Sequence, residues 1–271
     1  MKNLDNKLVL ITGGSSGIGR LMATNFSKQG SRIILWATDK DRMNRVENEI
    51  KNAGGHAWSY VCDVSDKNRI CEVSDRVKKE IGKVDILINN AGIVTGKPFL
   101  ECSDEEIKQS MDVNIMSHFW TVRSFLPDMI KTNQGHLVTI TSAAGLIGVN
   151  SLADYCASKF ASVGFDESIR MELRRKGIDG VKTTLVAPYY INTGMFKGVK
   201  SRFNFILPIL DEHKVAQKIV HAVKKDQAVL KMPPIVYALP LLRLLPTRYS
   251  DIIVDILGIN TAMDEFVGHR K

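Results

Sequence analysis

Cysteine is scarce in this chain: four among 271 residues, Cys62, Cys71, Cys102 and Cys156, in no metal-ligand spacing. They predict reduced thiols rather than a disulfide framework, and with them a cytoplasmic setting. The histidines (His56, His118, His136, His213, His221 and His269) form no His-x-x-x-His or Cys/His pattern, so no metal is expected. No apolar run approaches the roughly eighteen residues of a membrane-spanning helix. Met1–Asn6 is polar, so no signal peptide is expected either. Repeats, low-complexity tracts and linkers are missing too, which leaves one domain as the simplest partition.

What is abundant is positive charge, +8 with histidine neutral. Such a surplus suits an anionic ligand such as a dinucleotide, or an acidic membrane surface. Nucleic acid is not an expected partner, because the lysines are spread throughout with no basic helix or aromatic stacking cluster. Most of these charges read as solvated surface. The 44% hydrophobic share is that of an ordinary soluble globular protein.

Short apolar runs alternate with helical periodicity. The runs are Leu8–Thr12, Ile33–Ala37, Trp58–Cys62, Ile86–Asn89, Leu137–Thr141 and Thr183–Ala187, with a weaker one at Ala228–Met232. Between them, Met43–Ala53, Ile70–Ile81, Asp104–Ile130 and Leu152–Lys176 repeat apolar residues at three- and four-residue steps. Strands this apolar need both sheet faces covered. The alternation predicts an α/β fold: a doubly wound parallel sheet of about seven strands, Rossmann type, with helices on both faces. Residues 1–231 make the dinucleotide-binding and catalytic unit, with an apolar flap at about 189–212. Residues 232–271 form an apolar extension of the same domain, interrupted by proline too often for one long helix.

Directly after the first run comes Thr12-Gly-Gly-Ser-Ser-Gly-Ile-Gly19, and a helical pattern follows. A dinucleotide pyrophosphate needs a tight turn, close backbone N–H groups and a helix N-terminus. Glycine meets all three demands, because a Cβ would block the turn or the approach. The spacing is Gly-x-x-x-Gly-x-Gly rather than Gly-x-Gly-x-x-Gly, so position after the first strand carries the argument.

Together with Asn89-Asn-Ala-Gly92, Ser142, Tyr155-Cys-Ala-Ser-Lys159 and Pro188, this loop resembles the short-chain dehydrogenase/reductase family over about residues 5–230. The resemblance implies a nicotinamide cofactor and a homodimer or homotetramer. It also implies catalytic roles for Asn114, Ser142, Tyr155 and Lys159. Cofactor contacts would come from Gly13, Ser15, Ser16, Gly17, Ile18 and Gly19, from Thr38, from Asp63 and Val64, and from Asn90, Ala91 and Gly92. Tyr155, Lys159, Pro188, Ile191 and Thr193 would complete them. Asp63 can equally be a helix cap, although Ser65 or Asp66 suits that better.

Tyr155 and Lys159 are four apart in a predicted helix and so share one face. Ser142 closes the fifth run, at the carboxyl end where such sheets hold ligands. Proton transfer near neutral pH needs a group titrating near 7, and lowering tyrosine that far requires about 4 kcal/mol in favour of phenolate. A lysine ammonium one turn away can supply part of it. Ser142 can hold the substrate oxygen. In the family, Lys159 would also grip the nicotinamide ribose and Asn114 would relay protons through water. No Gly-x-Ser-x-Gly elbow surrounds Ser142, so a hydrolase-type nucleophile is not indicated.

An acidic residue at the end of the second strand would bind a ribose 2′-hydroxyl and repel a 2′-phosphate. Ala37 stands there, followed by Thr38, with Lys40 and Arg42 nearby, which favours NADP over NAD; Asp39 could still swing back to the ribose. After Pro188 the family's usual glycine is replaced by Tyr189, which narrows backbone freedom beside the nicotinamide pocket. The apolar flap calls for a hydrophobic alcohol or carbonyl, retinoid-, steroid- or lipid-like. Arg243–Arg248 and Met263–Gly268 resemble the retinol and 17β-hydroxysteroid dehydrogenase branch. Alternatives are a 3-oxoacyl carrier reductase and a non-catalytic nucleotide-binding scaffold. Residues 232–259 can pack over the pocket or a subunit interface, touch a membrane peripherally, or form an ordinary terminal helix.

Overall fold

Seven parallel strands lie in one sheet of the computed structural model, which describes residues 3–268; His269 lies outside them. They are β1 (Leu8–Thr12), β2 (Arg32–Ala37), β3 (Ala57–Val61), β4 (Ile86–Asn89), β5 (Gly135–Ile140), β6 (Val181–Pro188) and β7 (Val229–Met232). Their order is β3-β2-β1-β4-β5-β6-β7, so the direction of winding reverses between β1 and β4. A ligand cleft opens at such a reversal, beyond the carboxyl ends of the strands.

The apolar runs follow from two-sided burial. All five residues of β1 are buried. Val9 and Ile11 face α1 (Gly17–Ser27), α2 (Lys40–Asn52) and α7 (Glu212–Lys224), joining Phe26, Ile50 and Ile219. Leu8 and Leu10 face α3 (Lys67–Glu80), α5 (Ser117–Thr132) and α6 (Ala153–Arg175), joining Trp36, Val77 and Phe125. Each large side chain so buried contributes about 1.5–3 kcal/mol. The Trp36 and Phe125 rings meet at 5.8 Å between centroids.

The periodic stretch 104–130 is not one helix. A capping box of Ser103 and Glu106 starts α4 (Asp104–Met111), which passes through a π-helical turn at Asp112–Met116 into α5. That wide turn carries Asn114 inward, where it is fully buried. The apolar spacing continues across the turn, which is why periodicity alone reads it as continuous.

The tail folds back over the carboxyl end of the sheet. Short 3-10 turns at Pro234–Tyr237 and Leu239–Leu244 lead into α8 (Thr247–Ile256). Val236, Leu239, Val254, Ile259 and Met263 join a third cluster with Tyr155, Tyr189 and Tyr190. Among the described residues, no helix is long and apolar enough to cross a membrane. None of the described residues form a group of three or more His, Cys, Asp or Glu able to hold a metal ion.

Candidate active site

The cleft is built on three glycines that admit no side chain. Gly13 and Gly17 take positive φ, +65° and +49°. A Cβ on Gly19 would stand 2.3 Å from the Gly13 carbonyl oxygen, so the first turn of α1 lies directly on the loop. Ser16 caps α1 without a side-chain hydrogen bond, and no acidic residue occupies the first turn. The N–H groups that start α1 therefore retain their capacity and partial positive charge for an anion. Thr12 ties this loop to β4: its hydroxyl accepts from Asn90 N at 2.9 Å and Ala91 N at 3.0 Å. Asn90 Nδ2 donates to Thr12 O at 2.9 Å. Asn90 thus acts as a brace as well as a wall of the cleft. These features fit a dinucleotide.

The cleft holds about 570 Å³ and brings together Ser15, Ser16, Ile18, Thr38, Gly92 and Pro188 with the loop glycines, and reaches Ile191 and Thr193. It also gathers Asp39 and Arg42. Asp39 caps α2, accepting from Arg42 N at 2.9 Å, and its carboxylate pairs with Arg42 Nε at 3.0 Å. Asp63 and Val64 do not line this cleft. The Asp63 carboxylate accepts from Ser65 N at 2.9 Å and Ser65 Oγ at 2.7 Å, while Asp66 caps α3. Val64 is buried in the core layer under α3. Both local bonds fall on Asp63 Oδ1.

Ser142 follows β5, and its hydroxyl accepts from Ala144 N at 3.2 Å. Tyr155 and Lys159 stand one turn apart on α6, both buried. Lys159 Nζ donates to Ile140 O at 3.0 Å and lies 5.6 Å from the Tyr155 ring centre. Asn114 does not line the cleft; it lies behind Gly92. Its Oδ1 accepts from Ile93 N at 2.8 Å, and its Nδ2 donates to Ile93 O and Ser158 Oγ, each at 3.0 Å. Its main-chain oxygen accepts from Ser162 Oγ at 3.2 Å. The π turn therefore makes Asn114 a clasp between the β4 loop and α6.

Burial dominates the electrostatics. It pushes the Tyr155 phenol above its ordinary value, with a hydrogen bond to Ser142 opposing, and lowers Lys159 to about 8. Lys159 is expected to supply part of the pull toward phenolate; desolvation of both groups acts in the opposite direction. His118, also fully buried, is held down to about 3 by burial and the Lys159 charge.

Beside Ser142 and Tyr155 opens a second, apolar pocket, walled by Ile147, Val149, Leu152, Phe196, Leu239 and Ile259. About 20 Å³ of it stands open. The flap closes at its neck, where Asn192 N donates to Leu210 O and Leu210 N to Tyr190 O, both at 2.8 Å. Tyr189 donates its N–H to Met232 O at 2.7 Å and continues the β6–β7 pairing, so the missing glycine costs no backbone strain there. Tyr189 lines both cavities, and Tyr190 lines the apolar one. The latter had only one sequence signal, its place in the Tyr-Tyr pair.

A dinucleotide cradle at the sheet reversal, ending in a Ser-Tyr-Lys cluster, defines a nicotinamide-dependent oxidoreductase that interconverts alcohols and carbonyls. The short chain dehydrogenase family model matches residues 7–203, and the chain belongs to that family. Epidermal retinol dehydrogenase 2 from Homo sapiens is 47% identical over 272 residues, covering 100% of this chain and 88% of the relative. Retinol dehydrogenase 10 from Homo sapiens is 35% identical over 298 residues, covering 100% of this chain and 87% of its own. A short chain dehydrogenase/reductase from Burkholderia phymatum, solved in complex with NAD, superposes with a TM-score of 0.81 at 27% identity, over 94% of this chain and 97% of that one. A metagenomic short-chain oxidoreductase in complex with NADP gives 0.72 at 30% identity, over 85% and 98%.

Proposed function

We propose that this enzyme interconverts a retinoid-like or similar lipid alcohol and its carbonyl, with NADP(H) preferred. The observation that carries the substrate reading is the apolar pocket opening directly on Ser142 and Tyr155; the relatives' names favour a retinoid within that class. The nicotinamide supplies or accepts the hydride and, when oxidised, adds a positive charge to the site. Ser142 holds the substrate oxygen, Tyr155 gives or takes its proton, and Lys159 keeps positive charge beside the phenol and holds the cofactor ribose. Asn114 positions the β4 loop against α6. Turnover of all-trans-retinol or all-trans-retinal against steroid, aliphatic and oxoacyl substrates tests this; activity confined to oxoacyl thioesters would overturn the retinoid reading.

Ala37 leaves no carboxylate at the strand end, Asp39 is engaged in capping α2 and pairing with Arg42 Nε, and the remaining guanidinium N–H groups of Arg42 in the cleft wall can pair with a 2′-phosphate. NADP should therefore raise the melting temperature more than NAD at equal concentration. Ala37→Asp should reverse the order, because a carboxylate there repels the phosphate. A larger shift with NAD in the parent protein would refute the preference.

Peripheral membrane contact on the cytoplasmic side belongs to the same proposal. Leu241, Leu244, Tyr249, Ile252 and Ile256 are exposed on the segment whose buried residues Leu239 and Ile259 wall the pocket. Arg243 and Arg248 flank them, suited to anionic headgroups. A protein carrying Leu241→Asp and Leu244→Asp should float with phosphatidylserine liposomes several-fold less than the parent. Equal flotation would remove the membrane reading. Association into a dimer or tetramer is part of this reading too, with Phe119 of α5 and Met171 of α6 as exposed apolar surface.

A further inference from the structure

The apolar pocket contains a hydroxyl with nothing to bond. Tyr190 is 7% exposed, and its Oη has no hydrogen-bond partner among the described residues. Burying a hydroxyl unpaired costs about 1–3 kcal/mol, and phenylalanine fills the same space without that cost. The ring is held firmly: it meets Tyr189 edge-on at 4.7 Å and Phe196 at 5.1 Å between centroids. Phe196 in turn meets Tyr155 edge-on at 5.9 Å. The two phenols therefore flank one aromatic ring within the same pocket wall. Ser142, Tyr155 and Tyr189 also line this pocket, but none of them bonds the Tyr190 hydroxyl, and its remaining wall is apolar.

We infer that Tyr190 is a specificity-determining residue that hydrogen-bonds a second oxygen of the substrate, distinct from the oxygen held by Ser142 and Tyr155. The substrate class narrows to a lipid-like alcohol or carbonyl bearing another hydroxyl or oxo group on its apolar body. This rests on the functional reading above. A pure hydrocarbon body leaves the Tyr190 hydroxyl unpaired on closure, whereas an oxygen in reach satisfies it, and sites built this way discriminate against the analogue lacking the group.

The test compares parent protein and Tyr190→Phe on matched substrates: dodecan-1-ol against its 1,3-, 1,5-, 1,8- and 1,12-diols, and all-trans-retinal against its 4-oxo derivative. The parent should turn over at least one doubly oxygenated member with kcat/KM about tenfold above its singly oxygenated counterpart, the discrimination of one neutral hydrogen bond. Tyr190→Phe should erase that advantage, lowering kcat/KM on the doubly oxygenated substrates by a clearly larger factor than on the singly oxygenated ones, and keep or raise the melting temperature. No advantage in the parent, or an advantage that survives in Tyr190→Phe, overturns the inference. So does an equal loss on both kinds of substrate, which would put Tyr190 at the reacting oxygen, and so does a clear fall in melting temperature. If the parent turns over nothing in the set, the functional reading fails separately. Ligand-induced melting shifts of the cofactor-loaded proteins over the same pairs then decide on Tyr190, equal shifts in both proteins counting against it.

Discussion

Tyr155→Phe should lower kcat by about a thousandfold or more, within the range that a positioned proton donor contributes. Cofactor affinity should stay within about twofold, because the substitution removes one oxygen and leaves the ring. The edge contact with Phe196 and the ring surface beside Lys159 Nζ both survive. Burial opposes ionisation of this phenol, so replacing it removes no charge; only the hydrogen bond to Ser142 is given up, about 0.5–1.5 kcal/mol, and the melting temperature should fall by a few degrees at most. Steady-state kinetics with a retinoid, paired with fluorescence titration of NADPH, separates the two effects. A variant that turns over like the parent removes Tyr155 from the chemistry. A variant that loses cofactor binding in proportion to activity makes Tyr155 a binding residue instead.

The elements most legible in the sequence are those where one physical demand acts alone. Leu8–Thr12 reads as a strand because both of its faces are covered, so no polar alternation is needed. The glycines of the phosphate loop are legible because positive φ at Gly13 and Gly17 and close helix packing at Gly19 leave no place for a side chain. Ser142, Tyr155 and Lys159 converge as their places on β5 and α6 predict. The rest depended on competition between neighbours. Asp63 has two uses in the sequence, and the adjacent Ser65 supplies local hydrogen bonds to its Oδ1 at no chain-closure cost. Asn114 marked a break in helical preference, but no single residue announces a π turn whose ends are held by Ser158, Ser162 and Ile93. The closure of the apolar pocket is a property of three separate segments, Ala143–Leu152, the flap and the tail, and pairwise spacing along the chain carries no record of it.

Gly19→Ala should weaken cofactor binding by about a hundredfold or more, roughly 3 kcal/mol at 1.4 kcal/mol per decade. The new Cβ would lie 2.3 Å from the Gly13 carbonyl oxygen and 2.7 Å from Asn90 Nδ2, both well inside contact distance. Neither can simply retreat. A Cβ on Gly13 would in turn stand 3.0 Å from the Ala91 Cα and from Asn90 Nδ2, so the loop is backed by the end of β4. Asn90 is held by its bonds to Thr12. The strain must therefore appear as movement of the start of α1 away from the loop by close to an ångström. Hydrogen bonds weaken steeply with such displacement, and the N–H groups involved are those the pyrophosphate needs. The cofactor-free protein should also lose stability, by the 1–3 kcal/mol typical of an overpacked site. Gly54→Ala is the control: it brings the strain of a positive φ, +82°, which Gly19 does not have, but a Cβ there meets nothing within 4 Å. It should melt somewhat lower and bind NADPH like the parent. Calorimetric titration of both variants decides the matter. Parent-like affinity in Gly19→Ala would show that the α1 terminus is not what holds the phosphates, and equal losses in both variants would trace the effect to global destabilisation.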